Sequence, residues 1–139
     1  MNTTGSVTKT TFLYGPEEYK MASEFIVGVA VKAGQLVKLV AATGKITPLL
    51  VTDEENLCIG MAIKDGAADE LVVVSTRGYA IINGISAGAL DAGPVKQNAY
   101  DSTNLANEYV AAATAVLTHG WNLDPADGAD ETIRILIKN

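Results

Sequence analysis

The chain has 139 residues and a formal net charge of −6, from 10 Lys and Arg against 16 Asp and Glu. A chain of this length predicts one domain, or two small halves that share a core. Apolar residues make up 48% and charged residues 19%, which excludes a disordered tail and indicates that a partner covers part of the surface. The acidic balance argues against a general nucleic-acid binder, because phosphate neutralisation requires basic clusters.

The hydrophobic pattern holds no membrane-spanning segment. Its longest apolar run, residues 25–31, has seven residues, whereas a spanning helix needs about 20. The N-terminal residues also lack the basic start and long apolar stretch of a signal peptide. We therefore expect a soluble protein that is made in the cytoplasm and has neither a membrane nor nucleic acid as a partner.

The first 20 residues differ in composition from the rest. Residues 2–11 are rich in Thr and Ser and hold one large apolar side chain, Val7. Residues 8–14 have high β propensity, with Phe12 and Tyr14 on one face of an extended chain and Leu13 on the other. We interpret residues 1–20 as a mobile arm with one adhesive, strand-like stretch. The alternative is an ordinary first strand of the sheet.

The rest of the chain, residues 21–139, predicts a single β-rich domain. It supplies most of the 13 Val, 10 Ile and 13 Thr, and its glycines mark turns between short strands. A turn with Gly44 at positive φ ends one hairpin strand, and residues 109–117 favour a strand because β-branched residues weaken a helix there. Residues 52–55 and 86–90 are candidates for short helical turns. The predicted strands are residues 25–31, 35–40, 59–63, 71–74, 79–82 and 132–138, of which 71–74 and 79–82 have the apolar pattern of central strands covered on both faces.

An internal repeat spaced by about sixty residues relates the two halves of this domain. An Ala-Gly strand entry at Ala33 recurs at Ala92, and the strand around Gly60 recurs around Gly120. Each copy continues into an acidic, Gly- and Ala-containing loop and then a β run. The fold class predicted is therefore all-β: a small β-barrel or β-sandwich-like domain with pseudo-repeated halves and an extended N-terminal arm.

The residues that carry chemistry are sparse. Cys58 and His119 are the only cysteine and histidine, which excludes an intrachain disulfide and a Cys-x-x-Cys metal knuckle. His119 falls at the repeat position of Ile59, an apolar strand site, so a structural role is favoured. Cys58 is interpreted as a small buried apolar residue. A Cys58–His119 dyad remains the basis of the one enzyme hypothesis, which ranks last.

The remaining motifs give no cofactor or metal site. The acidic loop of residues 124–131 lacks the alternating ligands and closing Glu of a calcium loop and is interpreted as a solvated turn. The segment around Gly44 lacks the pattern of a phosphate-binding loop, and residues 84–93 lack the dinucleotide glycine spacing. Trp121 is predicted to lie in the core. We expect no enzyme activity, no catalytic or metal-binding residues and no cofactor.

Three segments carry a family resemblance: AGQLVKLVAATGKITPL at residues 33–49, IGMAIKDGAADELVVVSTRGYAII at 59–82 and AGALDAGPVK at 87–96. Together they resemble small capsid decoration proteins of tailed phages, also called head-stabilising or cement proteins. The likeness covers residues 33–139, whereas residues 1–32 match less well and residues 97–108 depart from the pattern. It lies in the order of strands and turns and includes no catalytic fingerprint.

The resemblance implies a structural virion protein on the outside of an expanded bacteriophage capsid. Its partners would be the major capsid protein and two further copies of itself in a homotrimer. The N-terminal arm would reach onto neighbouring capsid subunits, and this assigns docking to Thr8, Thr10, Phe12, Leu13 and Tyr14. The alternative function is a carbohydrate- or ligand-binding β module on a virion or cell surface, with Trp121, Tyr79 and Tyr109 as stacking residues.

Overall fold

The computed structural model describes residues 12–14, 21–77 and 79–138. Strands dominate these residues and the only helical segments among them are two 3₁₀ turns, Glu55–Leu57 and Ala115–Leu117, so the predicted all-β class is confirmed. The strands are β1 Phe12–Tyr14, β2 Met21–Ile26, β3 Leu36–Leu39, β4 Ile46–Pro48, β5 Gly60–Ala62, β6 Leu71–Arg77, β7 Tyr79–Ser86, β8 Gly93–Asp101, β9 Ala106–Ala111, β10 Gly120–Asn122 and β11 Thr132–Lys138.

The second half of the chain closes into a five-stranded barrel. Its strand order is β7-β11-β10-β8-β9, and β9 returns to pair with β7 in parallel. The closing pairs are Ile85 with Glu108 and Ser86 with Tyr109. Strand β1 adds to the part of β7 that β9 leaves open, with Phe12 opposite Ile82. Closure removes most strand edges from this half of the molecule.

The first half forms a second sheet with the corresponding order, β2-β6-β5-β3-β4. A single parallel bridge between Val27 and Ile46 stands where the β7–β9 pairing closes the barrel. A backbone hydrogen bond at the end of β2 recurs at the end of β7. The Asp69 N–H donates to the Val27 carbonyl at 2.7 Å, and the Asp130 N–H donates to the Ser86 carbonyl at 2.8 Å. The pseudo-repeat predicted from the sequence is therefore confirmed in topology and in hydrogen bonding.

Backbone conformation repeats as well. Asp69 and Asp130 both adopt positive φ, at 70° and 63°, a region in which Asp is tolerated because its short side chain bonds locally. Gly44 has φ of 69° in the hairpin turn after β3, as the sequence predicts. The loops therefore repeat because the same turn chemistry recurs in each half.

Two separate buried clusters fill the halves, and the larger one extends across their junction. The smaller cluster lies within the first half and is centred on valines such as Val27 and Val37. The larger cluster fills the barrel, where Ile133, Ile135 and Ile137 point inward from β11, as their alternation predicts. It also includes Leu36, Leu49 and Met61 from the first half. The two halves therefore share the larger cluster and form a single packed unit.

The structure corrects four local predictions. The strand predicted at residues 25–31 lies earlier in the chain, since β2 spans Met21–Ile26 and Val27 and Val31 form only isolated bridges. Residues 109–117 do not form one strand, because β9 ends at Ala111 and Ala115–Leu117 is a 3₁₀ turn. Residues 86–90 form no helical turn, since Leu90 exchanges two backbone hydrogen bonds with Ala126. Strand β6 is central but not covered on both faces, because Leu71 is 63% exposed on the outer side.

Candidate functional site

The predicted docking arm is only partly described. Thr8 and Thr10 lie outside the described residues, whereas Phe12, Leu13 and Tyr14 form β1. That strand pairs antiparallel with β7, through an irregular register. The strand propensity assigned to this stretch agrees with the observed pairing. Its docking role stays a prediction.

A fully buried glutamine, Gln97 on β8, bonds the two halves together. Its Oε1 accepts the Leu36 N–H at 2.8 Å, and its Nε2 donates to the carbonyls of Leu36 at 3.1 Å and Leu49 at 2.9 Å. Both partners belong to the first half. Buried backbone groups require hydrogen-bond partners. The side-chain amide of Gln97 is such a partner for backbone groups of Leu36 and Leu49 at the junction between the halves.

His119 extends this junction. Its Nδ1 accepts the Gln97 N–H at 3.0 Å, and its Nε2 lies 2.8 Å from the Asp53 carbonyl oxygen. Since Nδ1 accepts, the ring proton sits on Nε2 and is donated to Asp53. Burial lowers the pKa of His119, against a smaller opposite effect of Asp53. The ring is therefore held neutral as a structural crosslink, the role that the sequence favours for it.

Asp53 anchors the other side of the contact through its carboxylate. Its Oδ2 lies 2.6 Å from Lys38 Nζ and accepts the Leu50 N–H at 2.7 Å. Burial raises the pKa of Asp53, but the hydrogen bonds from Lys38 and Leu50 outweigh it and leave the pKa below 3.8. The 50–53 loop is thereby fixed against β3 and presents its carbonyl to His119.

A cavity of about 390 Å³ opens beside this junction. It contains the three residues that the sequence singles out for chemistry, Cys58, His119 and Trp121. Glu55 and Asn56 of the first 3₁₀ turn lie on its wall. The structure therefore brings together residues that are far apart in sequence, in a pocket between the two pseudo-repeats.

The Cys58–His119 pair in this cavity is not arranged for nucleophilic catalysis. Burial raises the pKa of the Cys58 thiol to about 11, and its Sγ lies 3.5 Å from the Gly60 carbonyl oxygen. The thiolate is the reactive species. Both ring nitrogens of His119 are engaged with backbone groups, so the ring offers no base to the thiol. The arrangement favours packing roles for both side chains.

The aromatic residues proposed for ligand stacking differ in how much of each side chain is exposed. Tyr109 is 1% exposed inside the barrel, so its predicted stacking role is wrong. Trp121 is 36% exposed, so its predicted core position is also wrong. It points outward because its strand neighbours Gly120 and Asn122 take the buried positions. The side chain of Tyr79 lies outside the described part of the chain.

Two carboxylates of the acidic loop at residues 124–131 have partners close by in the chain. Asp124 pairs with Arg134 through two hydrogen bonds, at 2.9 Å to Nε and 2.8 Å to Nη2, and this partner lowers the pKa of Asp124. Oε2 of Glu131 accepts the N–H groups of Asp127 and Gly128. These bonds fit the solvated turn predicted from the sequence.

A second acidic group was not found from the sequence. Asp101, Glu108 and Asp130 place one carboxylate oxygen each within 4.8 Å of one another. The carboxylate of Asp101 already accepts the N–H groups of Thr103 and Asn104. This group brings together the β8–β9 hairpin and the loop before β11, so no local sequence spacing reveals it. Local hydrogen bonds explain part of its arrangement, and the cluster alone does not define a metal site.

Large apolar side chains stay exposed around the two 3₁₀ turns, which contact each other. We call this the turn face and define it by Leu39, Leu57, Val116 and Trp121, all exposed. A shallow pocket lined by Leu39 and Leu57 shares Asn56 with the cavity beside His119. Exposed apolar surface of this kind marks interaction sites.

No helix in the described part of the chain has the length and apolar character that a membrane span requires. Neither a protein-family model nor a curated protein sequence matches this chain.

Proposed function

We propose that this chain is a capsid decoration protein that binds the outer surface of an expanded phage capsid and stabilises it. The observation that carries the proposal is the turn face, where four of the ten large apolar side chains exposed among the described residues lie around the two 3₁₀ turns. A clamp needs a stiff body and a contact surface, and it needs no reactive centre. The barrel supplies the stiff body, and the turn face supplies the contact surface through which copies of the protein associate.

The resembling segments coincide with the repeated elements. Residues 33–49 contain the β3–β4 hairpin, residues 59–82 contain β5, β6 and the start of β7, and residues 87–96 lead into β8. The segment that departs from the resemblance, residues 97–108, corresponds to the extended β8–β9 hairpin. The likeness therefore follows strands and turns of the internal repeat, whereas the junction residue Gln97 lies in the segment that departs from it.

We further propose that three copies associate through the turn face and that the arms reach the capsid. Closed cyclic symmetry buries an apolar face without leaving an open end. The three arms of a trimer then bind the capsid at the same time, and three weak contacts give an avidity that one arm lacks. In this arrangement the protein acts on the exterior of the virion, with the major capsid protein as its partner.

Co-sedimentation with undecorated expanded capsids tests this function. The wild-type protein is expected to pellet with the capsids at saturable stoichiometry and to raise the temperature at which they rupture. Bovine serum albumin, added at the same concentration, controls for trapping in the pellet. Wild-type protein that stays in the supernatant would refute the proposal.

The exposed Trp121 favours a second candidate, a saccharide-binding module. Its indole lies at the cavity that Glu55 and Asn56 line, and an aromatic face with carboxylate and amide groups suits a sugar ring. A glycan array tests it. Binding that is lost in Trp121→Ala and kept in Leu123→Ala, another exposed apolar position, would support this candidate over capsid decoration.

A further inference from the structure

Because β7 and β2 are equivalent strands of the internal repeat, the strands that pair with β7 can be compared with those that pair with β2. At β7, the partner opposite Phe12 is Ile82, four residues before Ser86. Ser86 corresponds to Val27, because each accepts the N–H of a positive-φ Asp in its own half. Counting back four residues from Val27 reaches Ser23 on β2. The position that β1 occupies on β7 therefore has a counterpart on β2.

That counterpart is open among the described residues. Strand β2 stands at the end of its sheet and pairs along its length with β6 alone. The bridge from Val27 to Ile46 covers only the end of this edge. The two sheets thus share one topology, and among the described residues only the barrel sheet carries an additional strand.

Hydrogen-bond alternation identifies the backbone groups that the open edge presents. Val27 directs its N–H and its carbonyl toward the β6 side, where they bond to Glu70 and Asp69. The next residue, Gly28, directs its N–H the opposite way, to the Ile46 carbonyl at 2.8 Å. Since direction alternates along a strand, the N–H groups of Ile26 and Glu24 point to the outer edge.

The side chains along this edge define the chemistry of an incoming strand. Ile26 is 45% exposed and lies opposite Leu71 on the outer face, and Glu24 is exposed on the same face. An added strand gains most from an apolar side chain beside Ile26 and a basic one beside Glu24. Pairing of two β2 edges from separate copies would bring two Glu24 carboxylates toward one another, and charges on edges oppose such self-pairing.

We propose that the outer edge of β2 accepts an extended segment of a partner protein, with alternating apolar residues and a Lys or Arg opposite Glu24. This inference rests on the proposed function for the identity of the partner, a capsid subunit. Main-chain hydrogen bonds to Glu24 and Ile26 supply the attachment, as in strand addition to other exposed sheet edges. The chain then covers part of β7 with its own β1 and accepts a partner's strand on β2, next to the equivalent position.

Site-resolved amide hydrogen exchange of the full chain, free and bound to expanded capsids, tests this proposal. We expect the Glu24 and Ile26 amides to exchange rapidly in the free protein and to slow at least tenfold on the capsid. The Phe25 amide, which alternation directs toward β6, should be protected in both states and is the internal control. Protection of Glu24 and Ile26 already in the free chain would show that its own residues cover the edge, and would overturn the proposal.

Two substitutions at one position complete the test. Glu24→Pro removes an outward N–H, which an edge strand tolerates, and Glu24→Lys keeps the N–H but reverses the charge. Both should reduce capsid retention at least tenfold, while Glu54→Lys, an exposed Glu without a side-chain capping bond, should not. If wild type pellets with capsids but neither variant loses retention, the β2 inference fails and the proposed function stands. If wild type does not pellet, both fail.

Discussion

The backbone N–H of Gln97 donates to Nδ1 of His119 at 3.0 Å, and the other ring nitrogen of that histidine reaches the first half of the chain at Asp53. The side chain of the same glutamine bonds to Leu36 and Leu49. Two polar residues of the second half thereby hold the first half in place. The stability of the junction should depend on both.

The protonation state of His119 makes the protein less stable in mild acid. Burial lowers the pKa of His119 in the folded state below 6.5, whereas a histidine in the unfolded chain has a pKa of about 6.5. As the pH falls below the pKa of the unfolded state, that state takes up a proton before the folded state does. The contribution of His119 to the free energy of unfolding is complete above that pKa and is therefore lost progressively below it. The limiting slope is about 1.4 kcal/mol per pH unit.

Urea unfolding at pH 7.5 and pH 5.0 measures this loss. The Asp53 carboxyl stays ionised over that range because its pKa lies below 3.8. The His119→Gln variant lacks the titrating ring and should show a much flatter pH response. An equally steep response in that variant would place the origin of the effect at another group.

Replacing Gln97 should cost far more stability than replacing its neighbour. Gln97→Ala leaves the N–H of Leu36 and the carbonyl of Leu49 without their partner, whereas the Leu36 carbonyl keeps its bond from the Leu49 N–H. Each buried unsatisfied group costs about 1–3 kcal/mol. We expect a loss of about 3 kcal/mol in the free energy of unfolding. Asn98→Ala removes one partly exposed bond to Glu108 and should cost less than about 1 kcal/mol. Similar losses in the two variants would contradict the role of Gln97 as the crosslink.

Gly84 should not tolerate a methyl group. A Cβ at this position would lie 2.5 Å from the Tyr109 ring and 2.9 Å from the Asn107 carbonyl oxygen, whereas a Cβ at Gly88 meets nothing within 4 Å. We expect Gly84→Ala to destabilise the barrel by about 1–3 kcal/mol through overpacking. Gly88→Ala should stay within about 0.5 kcal/mol of wild type. Thermal unfolding of both checks this, and a neutral Gly84→Ala would show that Tyr109 can shift.

Deleting residues 1–13 should leave the domain folded but abolish capsid retention. Ordering an arm costs about 1–2 kcal/mol per residue, so one arm binds weakly, and three arms in a trimer gain roughly 10²–10⁴ in avidity. Phe12→Ala should weaken retention more than Thr10→Ala. Circular dichroism and co-sedimentation provide the readouts. Wild-type retention by the truncated protein would exclude the arm, and unfolding would identify β1 as an ordinary core strand.

Sedimentation equilibrium at micromolar concentration should show a species of three chains. Because the turn face is apolar, Leu57→Asp together with Val116→Asp should shift that species to monomer. Leu71→Asp, at an exposed position of β6 outside the turn face, is the matched control and should not. A wild-type monomer, both free and on the capsid, would contradict the proposed trimer.

The repeat was predictable because its signals are local. Gly60 and Gly120, and the acidic turns that end in Asp69 and Asp130, recur at nearly constant spacing and have the same conformations or pairings in the structure. Strand β11 was equally clear, since its three Ile alternate strictly. Turn chemistry and period-two patterns are set by neighbours in sequence, and both survive folding unchanged.

The junction and the turn face were not predictable in this way. Gln97 lies two positions after Val95 on the buried face of β8, a spacing that signals a buried polar residue without naming its partners. Those partners lie 61 and 48 positions away. Trp121 was misplaced because β10 turns its small and polar residues inward, and that choice depends on the space left by β8 and β11.

Cryo-electron microscopy of undecorated expanded capsids incubated with excess protein tests the central claim most directly. We expect added density on the outer capsid surface, in groups of three at quasi-three-fold positions, into which the barrel and the second sheet fit as one rigid body. Capsids that remain bare at saturating protein would contradict it.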